Sequence, residues 1–294
     1  MKIAQMFENR TLFSFEVFPP KRTSSVDTIL TTLDGLKGLK PDFISVTYGA
    51  GGSVVNNETV RIANLIQNQY GIETLAHLTC VESSKNDVDA ILSQLQDSGV
   101  ENVLALRGDL KPNEQPKDDF KYASDLVSYI INKTKNRSNG SFDVCGACYP
   151  EVHGEAKDSV DDILNLKKKV DAGATHLISQ LFFDNQKFYD FKERARIAGV
   201  NVPIEAGIMP VVKKSQIERM VLMCGASLPS KFVKTMQRFE HNSQALRDAG
   251  IAYAVDQIVD LVSNGVEGIH LYTMNNPYVA CKISEAVENI VRCK

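Results

Sequence analysis

Short apolar runs alternate with longer amphipathic stretches along almost the whole chain, and this alternation is the strongest constraint on its fold. Such an alternation is typical of βα units in a parallel sheet. The predicted strands are 12–18, 42–47, 73–79, 101–106, 142–148, 175–181, 203–208 and 268–272. The predicted helices are 25–38, 57–69, 86–97, 121–134, 158–171, 186–198, 213–223 and 278–291, with an extra helix at 243–264. Eight such units in 294 residues predict an α/β fold, a (β/α)8 TIM barrel with an extra helix before the last strand.

A doubly wound sheet is the alternative arrangement of βα units, but no GxGxxG fingerprint follows the first predicted strand. No linker, low-complexity tract or change of composition divides the chain. We therefore expect residues 1–294 to form one barrel domain without a regulatory domain.

Charge and hydropathy exclude several classes of partner. The formal net charge is -3 and the lysines and arginines are scattered, so no nucleic-acid partner is expected. No apolar run reaches the length of a membrane span, and the N-terminus lacks the pattern of a signal peptide. We expect a cytoplasmic protein that acts on small molecules and does not bind membranes.

The six cysteines do not indicate a disulfide framework in a chain of this size. Cys145 and Cys148 form a CxxC pair, a pattern that can be redox-active or half of a zinc site. The pair lies in a predicted strand, where residues three apart face opposite sides. No second CxxC or HxxxH accompanies it, so we interpret both residues as structural and expect no metal site.

Glu16 is the only acidic residue in the segment FSFEVFPP, where Phe13, Phe15 and Phe18 are its sequence neighbours. The two prolines end the predicted strand, because proline cannot donate to a sheet ladder. Burial among aromatic side chains favours the neutral form of a carboxyl group, so Glu16 is a candidate proton donor or base. A salt-bridged glutamate at a strand end explains the segment equally well.

Polar or titratable side chains end most of the predicted strands, and in a (β/α)8 barrel these ends meet at the catalytic mouth. They are Glu16, Thr47, Tyr48, His77, Thr79, Arg107, Asp109, Tyr149, Gln180, Tyr272 and Thr273. The set contains no strand-end lysine for a Schiff base, no metal-ligating cluster and no nucleophile elbow. One acid, hydrogen-bond donors and aromatic faces are suited to hold a planar cofactor that carries the chemistry itself.

The helix predicted at 158–171 places Asp162, Asn165 and Lys169 along one edge, at positions i, i+3 and i+7. An acid, an amide and an ammonium group there could bind ribose hydroxyls and a phosphate. The spacing by itself favours an ordinary solvated helix face.

Ten segments, in order, carry a resemblance to a known family. They are FSFEVFPPKR, SVTYGAGG, AHLTC, ALRGD, YASDLV, YPEVHGEAK, LNLKKKVDAGA, ISQLFFD, GIMPV and LYTMN. Together they resemble methylenetetrahydrofolate reductases of the bacterial type that has the catalytic domain only. RGD alone carries no information, whereas LRGD closing the fourth predicted strand and YPEVH closing the fifth are specific in combination.

The resemblance implies an FAD-bearing barrel that reduces 5,10-methylenetetrahydrofolate to 5-methyltetrahydrofolate in one-carbon metabolism and methionine supply. It also implies ping-pong kinetics with NADH or NADPH as reductant, and a homo-oligomer. Glu16 matches the acid that helps to open the methylene bridge to the reactive iminium. Asp109 matches a carboxylate near the flavin N1–C2 edge that lowers the flavin potential and contacts the pterin.

The other implied positions are carried over by their place in the motifs. The cofactor positions are Thr47, His77, Arg107, Gly108, Asp109, Tyr122, Ala123, Asp125, Tyr149 and His153, with Asp162, Asn165 and Lys169 at the adenosine and phosphates. The substrate positions are Glu16, Asp109, Gln180, Tyr272, Lys234 and Asn276.

Two positions depart from the family pattern. Asn276 stands where a folate-binding arginine commonly follows the last-strand motif, and Lys234 lies near the usual place of a substrate-contacting glutamine. The folate-glutamate contacts are therefore open, and Lys234 is a candidate for the positive charge that Asn276 lacks. The chain ends where animal enzymes begin their adenosylmethionine-binding region, so we expect that feedback to be absent.

Two other functions and another source of electrons stay open. Another FAD-binding barrel oxidoreductase, similar to proline dehydrogenase, would keep the fold and cofactor without requiring the FEVFPP acid. A barrel without its cofactor would serve as a non-catalytic subunit of a redox assembly. Electrons could also come from a partner protein instead of a free nicotinamide, and the sequence does not separate NADH from NADPH.

Overall fold

A computed structural model of the chain describes residues 1–8, 10–20, 27–48, 58–109, 115–137 and 140–293. Eight parallel strands close into a barrel in chain order, with the last strand paired to the first, which confirms the predicted (β/α)8 fold. The strands are β1 Leu12–Val17, β2 Phe43–Val46, β3 Glu73–Thr79, β4 Asn102–Leu106, β5 Asp143–Cys148, β6 His176–Ser179, β7 Ile204–Ile208 and β8 Gly268–Tyr272.

Helices surround the barrel and connect its strands. They are α1 Asp27–Lys37, α2 Glu58–Asn64, α3 Lys85–Asp97, α4 Ala123–Thr134, α5 Ser159–Asp171, α6 Asn185–Ile197, α7 Lys214–Cys224, α8 Ser230–Phe239, α9 Ser243–Ser263 and α10 Pro277–Val291. The predicted extra helix is α9. The first predicted residues of the helices at 25–38 and 57–69 lie outside the described residues. Within the described ranges, no helix is both long and apolar enough to cross a membrane.

The prediction missed α8, which lies between α7 and α9. Phe232 and Met236, one helical turn apart, are its buried residues and pack in a cluster with Phe183. The rest of this ten-residue helix is mostly polar. Its apolar residues Phe232, Val233, Met236 and Phe239 recur at helical spacing, so the sequence carries a signal for this helix that the prediction did not use.

Side chains alternate between the helices and the barrel interior along each strand. Phe13 and Phe15 of β1 pack outward in a cluster that includes Ile29 of α1 and Ile283 of α10. Glu16 has the opposite direction and faces inward. The predicted aromatic surroundings of Glu16 are therefore wrong for Phe13 and Phe15. Both lie an odd number of residues from Glu16, and such residues of a strand face opposite sides.

Cys145 and Cys148 face opposite sides of β5, as predicted. Cys145 belongs to the interior cluster with Phe43 and Leu104, whereas Cys148 packs in the outer cluster. Burial raises the pKa of both thiols, so both stay protonated at neutral pH, as inert structural cysteines do.

A short 3₁₀ helix, Ile3–Glu8, covers the N-terminal end of the barrel. The buried side chain of Ile3 fills the interior there. The backbone N–H groups of Ile3 and Ala4 donate to Asn102 Oδ1 at 2.9 Å and to Asp143 Oδ2 at 2.7 Å. With this end covered, the carboxyl ends of the strands form the face at which a ligand can enter.

Candidate active site

Glu16 ends β1 inside the mouth of the barrel, where it faces two histidines. Its Oε2 atom lies 3.6 Å from Nε2 of His77 on β3 and 3.7 Å from Nε2 of His270 on β8. Burial lowers the pKa of His77 to about 4, so the imidazole is neutral at neutral pH and its contact with Glu16 is not an ion pair. Nε2 of His77 has no hydrogen-bond partner among the described residues. An unpaired buried polar atom is costly, which gives a reason to expect a ligand contact here.

Tyr272 ends β8 beside this group. Its hydroxyl donates to the carbonyl oxygen of Ser179 at 2.7 Å, and its ring stands edge-on to His270 with centroids 5.3 Å apart. Gly207 permits this arrangement, because a Cβ atom there would lie 2.7 Å from the tyrosine hydroxyl. The hydroxyl therefore joins β8 to β6. Because the hydroxyl proton is used in this bond, the ring is the part of Tyr272 that can contact a ligand.

Gln180 and Thr47 end two other strands at the same mouth. The Gln180 side-chain oxygen accepts the N–H of Leu181 at 2.9 Å, so its amide nitrogen is the atom that can donate to a ligand. The Thr47 carbonyl accepts the hydroxyl of Thr59 at 2.9 Å, which attaches the end of β2 to α2. Both side chains are half-buried.

A cleft of about 630 Å³ lies beside the mouth, between the β4–α4 and β5–α5 units. This volume falls within the usual range of small-molecule and cofactor sites. Nine of the predicted cofactor positions line it: Arg107, Tyr122, Ala123, Asp125, Tyr149, His153, Asp162, Asn165 and Lys169. The structure thus brings together residues that the sequence distributes over two βα units.

The inner edge of α5 is not the ordinary solvated face that its spacing favoured. The Lys169 ammonium donates to the Ala147 carbonyl at 2.5 Å, and burial lowers its pKa. Gly146 makes room for this side chain, since a Cβ atom there would lie 2.7 Å from Lys169 Cδ. Burial likewise raises the pKa of Asp162. Asn165 is more exposed and accepts from Lys168 at 3.0 Å.

The turn after β5 places two aromatic rings at the cleft. Tyr149 and His153 contact edge to face, with centroids 4.5 Å apart. Val152, between them, has φ +72°, a left-handed conformation that is an outlier for a β-branched residue. Strained backbone of this kind concentrates at binding and catalytic sites.

The segments around β4 and α4 supply the other wall. Arg107 pairs with Glu155 at 2.5 Å and donates to the Lys121 carbonyl at 3.3 Å. The Asp125 carboxylate accepts the N–H groups of Lys121 and Tyr122 at 3.0 and 2.9 Å, so it caps the start of α4.

Gly108 and Asp109 follow β4 without lining the cleft. Gly108 has φ +83°, which favours glycine, and a Cβ atom there would lie 3.0 Å from Thr79 Cβ. Asp109 is exposed.

Lys234 and Asn276 also lie outside the cleft lining. Lys234 is exposed on α8. Asn276 caps α10, where its side-chain oxygen accepts the N–H of Val279 at 3.3 Å. This capping contact is a structural reason for an asparagine at that position.

Sequence reasoning missed His270 and Glu155. His270 could have been found, because it precedes Tyr272 by two residues in a strand and therefore shares its face. Glu155 had no such signal, since its pairing with Arg107 depends on how the turn after β5 folds.

The closed parallel barrel, with titratable groups converging at its C-terminal mouth, defines a (β/α)8-barrel enzyme. The family model for methylenetetrahydrofolate reductase matches residues 2–288. The 5,10-methylenetetrahydrofolate reductase of Pectobacterium carotovorum is 37% identical over 268 residues, 91% of this chain and 87% of the relative. That of Escherichia coli is 36% identical over 262 residues, 89% of this chain and 86% of the relative. The chain belongs to the methylenetetrahydrofolate reductase family, as the sequence motifs predicted. It is an oxidoreductase that reduces methylenetetrahydrofolate to methyltetrahydrofolate.

A plant relative and a solved structure are also similar to this chain. The Arabidopsis thaliana protein named methylenetetrahydrofolate reductase (NADH) 1 is 34% identical over 282 residues, 91% of this chain but 47% of the relative. A solved structure from Clostridium thermocellum, described as binding two copies of 5-methyl-5,6,7,8-tetrahydrofolic acid, superposes with a TM-score of 0.65. The superposition covers 97% of this chain and 98% of that one at 14% identity, so it shows a shared fold only.

Proposed function

We propose that this chain reduces methylenetetrahydrofolate with FAD as its bound cofactor and a reduced nicotinamide as electron donor, in a ping-pong sequence. When bound, FAD would accept a hydride from the nicotinamide and deliver it to the folate. The observation that carries the proposal is the charged cleft, which opens beside the mouth that holds Glu16.

The residues of the cleft fit a dinucleotide. Lys169 and Arg107 supply cations for the diphosphate, and a phosphate would offset the cost of burying the Lys169 ammonium. Asp162 and Asn165 can bind ribose hydroxyls. Tyr149 lies at the junction of cleft and mouth, where it could contact the flavin ring.

The residues of the mouth fit the folate step. The methylene bridge opens when one of its two nitrogens takes a proton, and Glu16 is the acid placed to give it. Gln180 can donate a hydrogen bond and Tyr272 can offer its ring to the pterin. Asp109 adds a negative charge at the end of β4, which would lower the reduction potential of a flavin bound beside it.

NADH is the donor that we favour, because the name of the Arabidopsis relative specifies it. Direct comparison of NADH and NADPH as reductants decides between them.

The first test is a visible absorption spectrum of the purified protein, followed by anaerobic addition of NADH and then of methylenetetrahydrofolate. We expect oxidised-flavin bands that bleach with NADH and return with the folate. A yellow protein that neither NADH nor NADPH bleaches would require another electron donor. A colourless protein that cannot take up FAD would refute the proposal.

A further inference from the structure

A line of buried polar side chains runs from β7 to Glu16 through the inside of the barrel. Ser14 Oγ lies 2.7 Å from Oε2 of Glu205 and 2.7 Å from Nδ1 of His270. The other nitrogen of this imidazole, Nε2, faces Oε2 of Glu16 at 3.7 Å. Glu205, Ser14 and His270 have no solvent exposure, whereas the Glu16 side chain is 18% exposed at the mouth. The line therefore leads from a buried carboxyl group to within 3.7 Å of a partly exposed one.

Glu205 is placed to hold a proton. Burial raises its pKa to about 7, against the opposing effects of His270 and Ser14. Its Oε1 atom has no hydrogen-bond partner among the described residues. Gly268 makes room for the side chain, since a Cβ atom there would lie 2.6 Å from Glu205 Cγ. Near neutral pH this carboxyl group is protonated in a large fraction of the molecules.

Among the residues that the structure describes, few charged or titratable groups lie around the two ends of the line. At Glu205 they are His270 of β8, Asp42 before β2, and the protonated thiol of Cys145 on β5. At Glu16 they are His270, His77 of β3 and Tyr272 of β8.

We propose that Glu205, Ser14 and His270 form a proton path that delivers to Glu16 the proton used in the folate step. The inference rests on the proposed role of Glu16 as the acid of that step. Glu205, Ser14 and His270 act through Glu16 and have no direct contact with folate in this scheme.

The transfer balances as three linked proton shifts. Before folate binds, the proton is on Glu205, which donates to Ser14 Oγ, while Ser14 donates to Nδ1 of His270 and Nε2–H of His270 faces ionised Glu16. When Oε2 of Glu16 closes from 3.7 Å to hydrogen-bond distance, the Nε2 proton passes to Glu16, the Ser14 proton to Nδ1, and the Glu205 proton to Ser14. Glu205 ends ionised and Glu16 protonated, and both Ser14 and the imidazole keep their original proton count.

Folate bound over the mouth would determine the direction in which the proton moves. It would remove Glu16 from water, and desolvation favours the neutral form of a carboxyl group, so the proton moves toward Glu16 and from there to the bridge nitrogen. When the product leaves, Glu16 is open to solvent again. One proton from water then returns along the same path to Glu205, which matches the single proton that each reduction consumes.

The path predicts a specific defect in Glu205→Gln and Ser14→Ala. Glutamine keeps the size of Glu205 but cannot release a proton, and alanine removes the hydroxyl that carries it. We expect both variants to slow the reoxidation of reduced enzyme by methylenetetrahydrofolate about tenfold or more, measured anaerobically in single turnovers. The wild-type rate should fall as the pH rises above about 7, where Glu205 loses its proton, and Glu205→Gln should lose this dependence.

Ser45→Ala is the matched control. Ser45 is also fully buried and contacts the same imidazole, at Nε2 and 3.3 Å, but it does not connect His270 to Glu205. We expect its reoxidation rate to stay within about twofold of wild type. Bleaching by NADH, measured on every preparation, should be unchanged and reports a folded, flavin-loaded protein.

The outcomes separate this path from the proposed function. A wild-type enzyme that the folate cannot reoxidise refutes the proposed function itself. If Glu16→Gln is slow in reoxidation but Glu205→Gln and Ser14→Ala keep the wild-type rate and pH profile, the path is refuted and the role of Glu16 stands. If Glu205→Gln does not fold, the smaller Ser14→Ala substitution decides alone.

Discussion

At the scale of single residues, burial changes what a charged side chain can do. Lys169 is on α5 among other lysines, yet it differs from them because its stem crosses β5 at Gly146 and its half-buried ammonium donates to the Ala147 carbonyl. The neighbouring Lys167 instead pairs with Asp171 outside the cleft. Two lysines that are equivalent in the sequence thus have different surroundings.

This difference predicts that Lys169→Met weakens FAD binding and Lys167→Met does not. A charge-assisted hydrogen bond to a phosphate contributes about 1.5–3 kcal/mol, so the loss should be roughly tenfold or more in Kd. Flavin fluorescence released on dilution of the holoenzyme measures it. Equal flavin release from both variants would contradict the assignment of Lys169 to the cofactor.

At the scale of elements, the end of β1 is held by the turn that follows β8. Thr273 donates from Oγ1 to the Glu16 carbonyl at 2.6 Å. The Asn275 side chain accepts from Phe18 N at 3.0 Å and donates to Phe18 O at 2.8 Å, as a neighbouring strand would. Met274 and Asn275 both have φ +52°, a conformation that asparagine tolerates better than most residues. The turn therefore continues the β1–β8 pairing past the last residue of β8 and fixes the backbone on both sides of Glu16.

We expect Asn275→Ala to lower the free energy of unfolding by about 2 kcal/mol, since two hydrogen bonds are lost at about 1 kcal/mol each. It should also slow reoxidation by folate, because the backbone next to Glu16 loses its support. The adjacent Asn276→Ala removes a helix cap and should cost about 1 kcal/mol. Urea unfolding and the single-turnover assay measure both effects, and equal losses in the two variants would count against the β1 contact.

At the scale of the whole molecule, the barrel interior contains several titratable groups that it keeps neutral. Burial lowers the pKa of His77, near the mouth, and of His176, near the covered end, to about 4. Burial raises the pKa of Glu205 to about 7. The two kinds of group have opposite effects on stability as the pH changes.

A histidine whose pKa is lowered by folding stabilises the protein above its unfolded pKa of 6.5, and this contribution is lost as the pH falls toward about 4. A glutamate whose pKa is raised stabilises the fold at low pH, and this contribution is lost as the pH rises from 4.5 to about 7. Each of the three groups contributes about 3 kcal/mol, and the two histidines outweigh Glu205.

We therefore expect the free energy of unfolding to rise between pH 4.5 and 6.5. The rise should be steeper in Glu205→Gln, which lacks the opposing contribution. Urea unfolding of both proteins across this range measures the slopes. A wild-type stability that falls over the same interval would show that the histidines are not buried as neutral groups.

Periodic patterns and motifs were enough to predict the barrel, the extra helix α9 and the family, because both βα alternation and motif order are properties of local sequence. The strand-end residues could be found by the same logic, since the carboxyl ends of parallel strands must meet at one face. α8 was missed although it could have been found, because Phe232, Val233, Met236 and Phe239 recur at helical spacing.

What only the tertiary structure decided is the surroundings of each candidate residue. Glu16 has phenylalanines as sequence neighbours but faces histidines from β3 and β8, because strand alternation separates adjacent residues and barrel closure brings distant strands together. The edge of α5 lines a cleft because the barrel places α5 beside the ends of β4 and β5. Glu205 of β7 and Ser14 of β1 meet inside the barrel although β8 lies between their strands. Local sequence determines which face a side chain takes, whereas the closure of the barrel determines what that face meets.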